Sequence, residues 1–309
     1  MIQIIGAGAI GCLWLAKLQQ SNFACHIVTR TKHQTTELQF TNLQAEKIRL
    51  PISHSHQLLH NTLIEQQSVI LVCVKAPNVL SALLMQRPYI STQQPIILMH
   101  NGYGCADEIL KHFPNNPIIS ATTANASLLN APFNITQTGN GASYFGTFNC
   151  ENKKLDLATL IKPFQAVMKD VHWCNDIAEK CWLKLIINAA INPLTAIHQI
   201  KNGALQASEF SLTIKAIIEE SLAIAKAEQF NFELLSLQKS INAVIEATAP
   251  NYSSMNRDIF YRRETEIEFI NGYLIKKAHQ HNIEAPILTN LYQQIKALEY
   301  RSPTVVNNC

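Results

Sequence analysis

Three polar residues stand four apart in an otherwise apolar segment. In CWLKLIINAAINP, residues 181 to 193, Lys184, Asn188 and Asn192 drift by only about 40° per step on a helix and form one polar stripe. Trp182, Leu183, Leu185, Ile186, Ile187, Ala189, Ala190 and Ile191 surround that stripe, so the spacing predicts a buried helix. An ammonium in such a setting can stabilise and protonate an oxygen that gains negative charge, as a carbonyl oxygen does when its carbon accepts a hydride. Burial or a cationic neighbour would ease proton loss from Lys184, whereas a carboxylate partner would hold it charged. The two amides can orient a small polar substrate. The plain alternative is that Lys184 snorkels to solvent while the asparagines bond to neighbouring helices.

A hydride needs a carrier, and the start of the chain supplies a candidate. Ile2 to Ile5 is a short apolar run, GAGAIG occupies residues 6 to 11, and CLWLAKLQQS continues with helical spacing before the second strand CHIVTR. This is a β-α-β unit of about 30 residues. Gly6 permits the tight turn, Gly8 lets a pyrophosphate approach the backbone, and Gly11 lets the helix pack close to the strand. Ala7, Ala9 and Ile10 complete the loop, and the helix N-terminus faces the phosphates. Only 10 glycines occur in 309 residues, and three fall in this hexapeptide, which weighs against an incidental turn.

The second strand ends in Arg30, followed by Thr31 and Lys32. An NAD site usually places Asp or Glu there for the ribose 2′-OH, whereas a guanidinium suits the 2′-phosphate of NADP. A solvated basic loop is the alternative. SVILVCVK (68 to 75) and PIILMHNG (95 to 102) read as buried parallel strands, with Lys75 and Asn101 at their carboxyl ends, where open α/β sheets bind ligands. On local grounds Lys75 could equally be a surface lysine, and Asn101-Gly102 is also a common turn dipeptide.

The elements that must position these groups divide the chain in two. From Pro117 to Phe148 the sequence is β-rich, which predicts antiparallel strands closing the far side of the sheet; a helical pattern near 151 to 170 and a last strand at VHWCN follow. The expected boundary is near Asp176, giving a dinucleotide-binding domain over 1–175 and a helical domain over 176–309. The second half reads as helix after helix: IAEKCWLKLIINAAI, SEFSLTIKAIIEESLAIAKAEQF, LLSLQKSINAVIEAT and a long last helix from about Arg257 to His281. Pro193 is expected to end the polar face and turn the chain toward Asn202. APNYSSMNRD reads as a helix N-terminus with Ser253, Ser254 or Asn256 for capping and N–H groups that suit a carboxylate. Glu264, Glu266 and Glu268 lie on the long helix, and spacing alone does not single out Glu266.

Composition narrows the function classes. With 309 residues, two domains are the prior. A 47% hydrophobic and 15% charged composition is that of a globular protein, and 25 basic against 22 acidic residues, without a long basic run, leaves no footprint for nucleic acid. Eight cysteines with no C-x-x-C pair read as reduced thiols. There is no signal-peptide pattern, no apolar span of 18 residues and no metal-ligand spacing, so the expectation is a cytoplasmic protein without a membrane or metal partner.

The sequence as a whole resembles the ketopantoate reductase (2-dehydropantoate 2-reductase) family. GAGAIGCLWLAKL, HNGYG, WLKLIINAAINPLTAIHQIKNG, NYSSMNRDI and TEIEFINGYLIKKA carry the resemblance over essentially the whole chain. The combination of K-L-x-x-N-x-x-I-N-P-L-T-A with S-S-M and T-E-I-x-x-I-N-G is far more specific than the glycine fingerprint. The resemblance implies an α/β Rossmann-type N-terminal domain plus an all-α C-terminal domain like that of 6-phosphogluconate dehydrogenase. It implies NADPH-dependent reduction of ketopantoate to (R)-pantoate, a step of pantothenate and coenzyme A biosynthesis, in the cleft between domains. Lys184 would be the general acid and Glu266 an active-site carboxylate close to it and the cofactor. Asn188, Asn192, Asn202, Asn251 and Ser254 would bind substrate, together with Asn101. Residues Gly6 to Gly11, Arg30, Lys75, Asn101 and Glu266 would contact NADPH. The protein would act as a monomer or homodimer. The rival readings are a related reductase of another 2-oxo acid and an NADP sensor without catalysis.

Overall fold

The computed structural model describes residues 1–31, 33–59, 68–148 and 157–301; Lys32 and the start of the helical pattern expected near 151 lie outside them. By contacts the chain divides into two compact units, Met1–His100 with Cys105–Lys180, and Asn101–Gly104 with the chain from Cys181 onward. The first is an α/β unit with a mostly parallel sheet and the second is helical. No helix among the described residues is long and apolar enough to cross a membrane.

In the first unit, β1 (Ile2–Ile5) leads through the glycine loop into α1 (Ala9–Gln20) and back to β2 (Cys25–Val28), which pairs parallel with β1 in the register Ile2 to Cys25. The remaining strands are β3 (Glu37–Thr41), β4 (Lys47–Pro51), β5 (His54–Ser55), β6 (Val69–Val72), β7 (Ile96–Met99), β8 (Ile118–Thr123), β9 (Ala126–Ala131), β10 (Asn134–Gly139), β11 (Ser143–Thr147) and β12 (Val171–Trp173). The eight-stranded sheet runs β12-β11-β8-β7-β6-β1-β2-β5, so strand order reverses between β1 and β6. All its pairings are parallel except β8 with β11. Helices α2 (Val79–Gln86), α3 (Cys105–His112) and α4 (Lys162–Val167) complete the crossovers.

The β-rich stretch does not form one antiparallel edge. β8 continues the parallel sheet, and β11 and β12 close it, whereas β9 and β10 leave to join β3 and β4 in a second, four-stranded sheet. The physical reason lies in α1. Cys12, Leu13, Trp14, Leu15, Ala16 and Leu18 are all buried, so this helix is apolar on every side and needs a second cover. Leu38, Phe40, Leu50 and Ile135 of the small sheet, with Phe133 in the turn between β9 and β10, share one core with Trp14 and Leu18. Glu37, Leu38, Gln39 and Phe40 alternate out and in, as a sheet covered on one face requires.

The helical unit holds α5 (Ile177–His198), α6 (Ser208–Ala227), α7 (Leu234–Ala247), α8 (Ser254–Phe260), α9 (Asn271–Gln280) and α10 (Pro286–Arg301); the first turn of α5 falls on the other side of the contact division. Trp182, Leu185, Ile186, Ala189 and Ala190 of α5 share a core with Ile217, Ile241, Leu274 and Leu288 from the surrounding helices. Pro193 does not end α5, contrary to the expectation: the helix passes through it for five more residues. A proline inside a helix costs about 3 kcal/mol. Here Ile191, Leu194 and Ala196 are buried around it, and Thr195 Oγ1 donates to the carbonyls of Ile191 (2.9 Å) and Asn192 (3.1 Å), so packing outweighs the propensity.

The single helix expected from Arg257 to His281 is also corrected. α8 ends at Phe260, Arg262 takes a left-handed φ of 55°, and Arg263 N–H returns to the Asp258 carbonyl at 2.7 Å. A one-turn 3₁₀ segment, Ile267–Phe269, then leads into α9. The last helix, α10, was not anticipated.

Candidate functional site

At the carboxyl edge of the large sheet, β1, β2 and β6 bring three predicted regions together. Gly6 N–H donates to the Val28 carbonyl (3.0 Å), which ties the glycine loop to the strand that leads to Arg30. Gly6 has φ of 108°, and a Cβ there would lie 2.7 Å from Val74 Cγ1, so the loop also packs on the segment that carries Lys75. A Cβ on Gly11 would run into the Gly6 carbonyl oxygen. At Gly8, by contrast, the only near atom would be the Cys73 carbonyl oxygen at 3.9 Å. One face of the loop is thus packed and the other is open, and Gly8, the residue before α1, offers no side chain to its N–H groups. This cradle has the shape that suits a dinucleotide pyrophosphate, which Gly6 to Gly11 would hold at the helix N-terminus. Arg30 is exposed two residues past β2, and Lys75 is half-buried at the start of a 3₁₀ turn.

Within the helical unit Asn101–Gly104 docks on the turn after Glu266. Asn101 Nδ2 donates to Glu266 Oε2 at 2.9 Å, and Tyr103 N–H donates to the Phe269 carbonyl at 2.8 Å. Gly102 has φ of 83°, and a Cβ there would lie 2.5 Å from the Phe269 carbonyl oxygen, so only glycine fits. Glu266 is 6% exposed; its backbone carbonyl accepts from Phe269 N–H (3.0 Å) and Ile270 N–H (3.1 Å). Thr265 is fixed in turn: its N–H and hydroxyl both donate to Glu299 Oε1, at 2.8 and 2.7 Å. A bend with a buried carboxylate, rather than a solvated helical face, singles out Glu266 from Glu264 and Glu268, which are exposed.

The charge of Glu266 reaches Lys184. Burial pushes the Lys184 ammonium below its ordinary 10.5, while Cys181 and the Glu266 carboxylate act in the opposite sense. The amine is therefore held where it can give up a proton more readily than a surface lysine. Asn188 is half-buried and Asn192 is 6% exposed, one and two steps of four along the same helix.

The end of that stripe is tied to the other asparagines. Thr195 Oγ1 lies 2.7 Å from Ser253 Oγ and, with its own proton on the helix carbonyls, accepts from it; Ser253 Oγ in turn accepts from Asn256 N–H (3.0 Å) as the cap of α8, and Asn256 Nδ2 donates to the Thr195 carbonyl (2.7 Å). Asn251 and Ser254 flank this capping residue. Asn202 N–H donates to the Asn251 carbonyl at 2.9 Å. The Asn202 side chain donates Nδ2 to Thr248 Oγ1 (2.9 Å), whose own proton goes to the Val244 carbonyl (2.6 Å). Thr248 must therefore accept, and the Asn202 amide has only one consistent orientation. Its Oδ1 is buried and has no partner among the described residues. Of the capping candidates it is Ser253 that caps α8, with Asn256 donating to it and to the Thr195 carbonyl; Thr195 lay inside the quoted motif but was given no part, and its signal was a polar residue in an apolar helical run.

Comparison with known proteins agrees over the whole length. Residues 2–149 match the family described as Ketopantoate reductase PanE/ApbA, and residues 176–299 match Ketopantoate reductase PanE/ApbA C terminal. A 2-dehydropantoate 2-reductase from Vibrio cholerae is 38% identical over 298 residues, covering 96% of this chain and 97% of that protein. A probable 2-dehydropantoate 2-reductase from Bacillus subtilis, of known structure, is 27% identical, with a TM-score of 0.80 over 96% of this chain and 99% of its own. D-mandelate dehydrogenase with NADH and anilino(oxo)acetate shares the fold, with a TM-score of 0.85 at 21% identity over 97% and 99%. By sequence over both of its units, the chain belongs to the ketopantoate reductase PanE/ApbA family.

Proposed function

We propose that this protein reduces 2-dehydropantoate to (R)-pantoate with NADPH. The cofactor, bound at the glycine loop, supplies the hydride. Gly6 to Gly11 hold the pyrophosphate, Arg30 meets the 2′-phosphate, and Lys75 neutralises cofactor charge at the next strand end. Lys184 donates its proton to the C2 oxygen as that oxygen gains negative charge, so ketone, hydride and proton sum to the alcohol. Glu266 keeps the ammonium charged against burial, and Asn101 holds Glu266 in place. Asn188, Asn192, Asn251 and Ser254 bind the polar groups of the substrate.

The choice of substrate rests on Asn202 Oδ1. A buried carbonyl oxygen without a donor is costly, by about 1–3 kcal/mol, and its complement must carry a hydrogen. The 4-hydroxyl of ketopantoate is such a donor; a carboxylate or a phenyl ring is not. The Vibrio cholerae relative supports the same reading.

The test is turnover. Purified protein should oxidise NADPH when ketopantoate is added, and Lys184→Ala should lower kcat by about a hundredfold or more while cofactor binding stays nearly intact. Faster reduction of 2-oxo acids that lack the hydroxyl would favour a related reductase. Binding of NADPH without turnover of any 2-oxo acid would favour a sensor.

A further inference from the structure

Two cations stand against one tyrosine ring in the helical unit. Arg257 Cζ lies 3.7 Å from the centre of the Tyr252 ring and 5.5 Å from that of Phe260, and Lys201 Nζ lies 5.7 Å from the centre of Tyr252. These are cation–π distances, so Tyr252 gathers both charges. The fold brings them together, because Lys201 precedes the 3₁₀ turn Asn202–Gln206 whereas Tyr252 and Arg257 belong to α8 and the loop before it. Two backbone bonds join the segments: Asn202 N–H donates to the Asn251 carbonyl at 2.9 Å, and Gly203 N–H to the Ala249 carbonyl at 3.2 Å. A Cβ on Gly203 would lie 2.7 Å from Ala249 Cβ, so this close approach needs glycine.

Neither cation is neutralised. Among the described residues no carboxylate pairs with Lys201 or Arg257. Cys181 to Ser208 carries no Asp or Glu, and Thr248 to Arg263 carries only Asp258. That one acid is 4% exposed and is engaged by Arg263 Nε at 3.2 Å. A cation–π contact uses the face of the ring and leaves the N–H donors of the guanidinium unspent, in the planar fork that suits a carboxylate. All three side chains reach the surface: Lys201 is exposed, Arg257 is half-buried and Tyr252 is 38% exposed. The cluster also adjoins groups assigned above to the substrate, since Lys201 precedes Asn202, and Tyr252 follows Asn251 with Ser254 two residues on.

We infer that Lys201 and Arg257, gathered by Tyr252, form an outer cationic collar that captures the carboxylate of the incoming substrate and sets a preference for anionic 2-oxo acids. Clustered charges that no acid offsets raise the local concentration of an anion and speed its arrival. The ring matters because it holds both charges beside Asn202 and Asn251 instead of letting them sweep through solvent. This attraction acts on approach and first contact and not on hydride transfer, so it belongs in KM and not in kcat. Lys184 and the asparagines keep their roles nearer the reacting atoms. The inference rests on the reading of this unit as the site of a 2-oxo acid.

Steady-state kinetics on ketopantoate at low and high ionic strength test it. In the unsubstituted protein kcat/KM should fall as salt rises. Arg257→Gln should raise KM by about 3- to 10-fold at low salt, change kcat by less than about twofold and flatten the salt dependence, and Lys201→Gln should do the same to a smaller degree. Arg257→Lys, which keeps the charge, should restore most of the affinity and of the salt dependence. Unaltered KM and salt dependence in both glutamine variants would overturn the collar and leave the functional reading intact. A rise in KM that Arg257→Lys repeats in full and that salt does not change would overturn it too, since that is the mark of lost packing. No turnover of ketopantoate by the unsubstituted protein would overturn the functional reading, and the collar with it.

Discussion

Asn101 Nδ2 lies 2.9 Å from Glu266 Oε2, a hydrogen bond between residues 165 apart in sequence. It places a residue that follows a strand of the α/β unit among the contacts of the helical unit. The carboxylate that acts on Lys184 and the amide that bonds to it thus come from distant parts of the chain, and each is held by backbone: Glu266 by the 3₁₀ turn after it, Asn101 by the docking of Tyr103 on Phe269.

Gly102 is where that docking can be broken without touching a reacting group. Alanine at this position meets the Phe269 carbonyl at 2.5 Å in a left-handed conformation, so the segment must shift and carry Asn101 off Glu266. Gly102→Ala should lower kcat by about 10- to 100-fold, as small misplacements of catalytic groups do. Steady-state kinetics on ketopantoate check it, with thermal unfolding as the control for gross damage. A wild-type kcat would sink the claim that the segment positions Asn101.

The acidity of Lys184 makes a prediction with a sign. As general acid the amine must be charged, so kcat/KM for ketopantoate reduction should be constant at low pH and fall as pH rises through its pKa. Burial lowers that pKa, so the fall should be centred below 10.5; oxidation of pantoate needs the neutral amine and should rise over the same interval. Glu266→Gln removes a charge that holds the proton on, and should move the fall to still lower pH. A limb that stays in place in this variant would separate Glu266 from the acidity of Lys184.

The parts legible in the sequence were those set by local chemistry. The β-α-β unit was readable because Gly6, Gly8 and Gly11 stand between an apolar run and a helical pattern, and the Lys184 stripe because helical period is a property of spacing alone. The second sheet was not readable: β9 and β10 pair with β3 and β4, and nothing within residues 126 to 139 says which sheet they join. The passage of α5 through Pro193 was hidden for a similar reason, since propensity is local and the burial that overrides it comes from other helices. Glu266 could not be separated from Glu264 and Glu268 because the bend that buries it depends on Arg262, Thr265 and a distant Glu299.

Asn202 should govern discrimination for the substrate hydroxyl. Its Oδ1 is fixed as an acceptor by Thr248, so a substrate O–H can satisfy it and a methyl cannot. Asn202→Ala should lower kcat/KM for ketopantoate by about 10- to 100-fold while changing that for the analogue without the hydroxyl far less. Measuring both substrates on both proteins gives the interaction directly. Parallel losses would mean that Asn202 acts only on the fold.

Glu228 offers a test of stability apart from the site. It joins α6 to α9, with Lys277 Nζ at 2.8 Å and His281 Nε2 at 2.6 Å. Partial burial pushes its carboxyl up, but the hydrogen bonds from Lys277 and His281 outweigh that and hold it below 4.5. A carboxyl whose folded pKa is depressed adds stability that is full above the unfolded value and is lost as pH falls through the folded one. Glu228→Gln should therefore destabilise the protein by about 1 kcal/mol near neutral pH. The difference should shrink as pH drops below about 4.3, the ordinary glutamate value, and vanish once the wild-type carboxyl is protonated too. Denaturant unfolding of both proteins from pH 7 down to 3 reads this out, and a pH-independent difference would show that the residue stabilises by packing rather than by its charge.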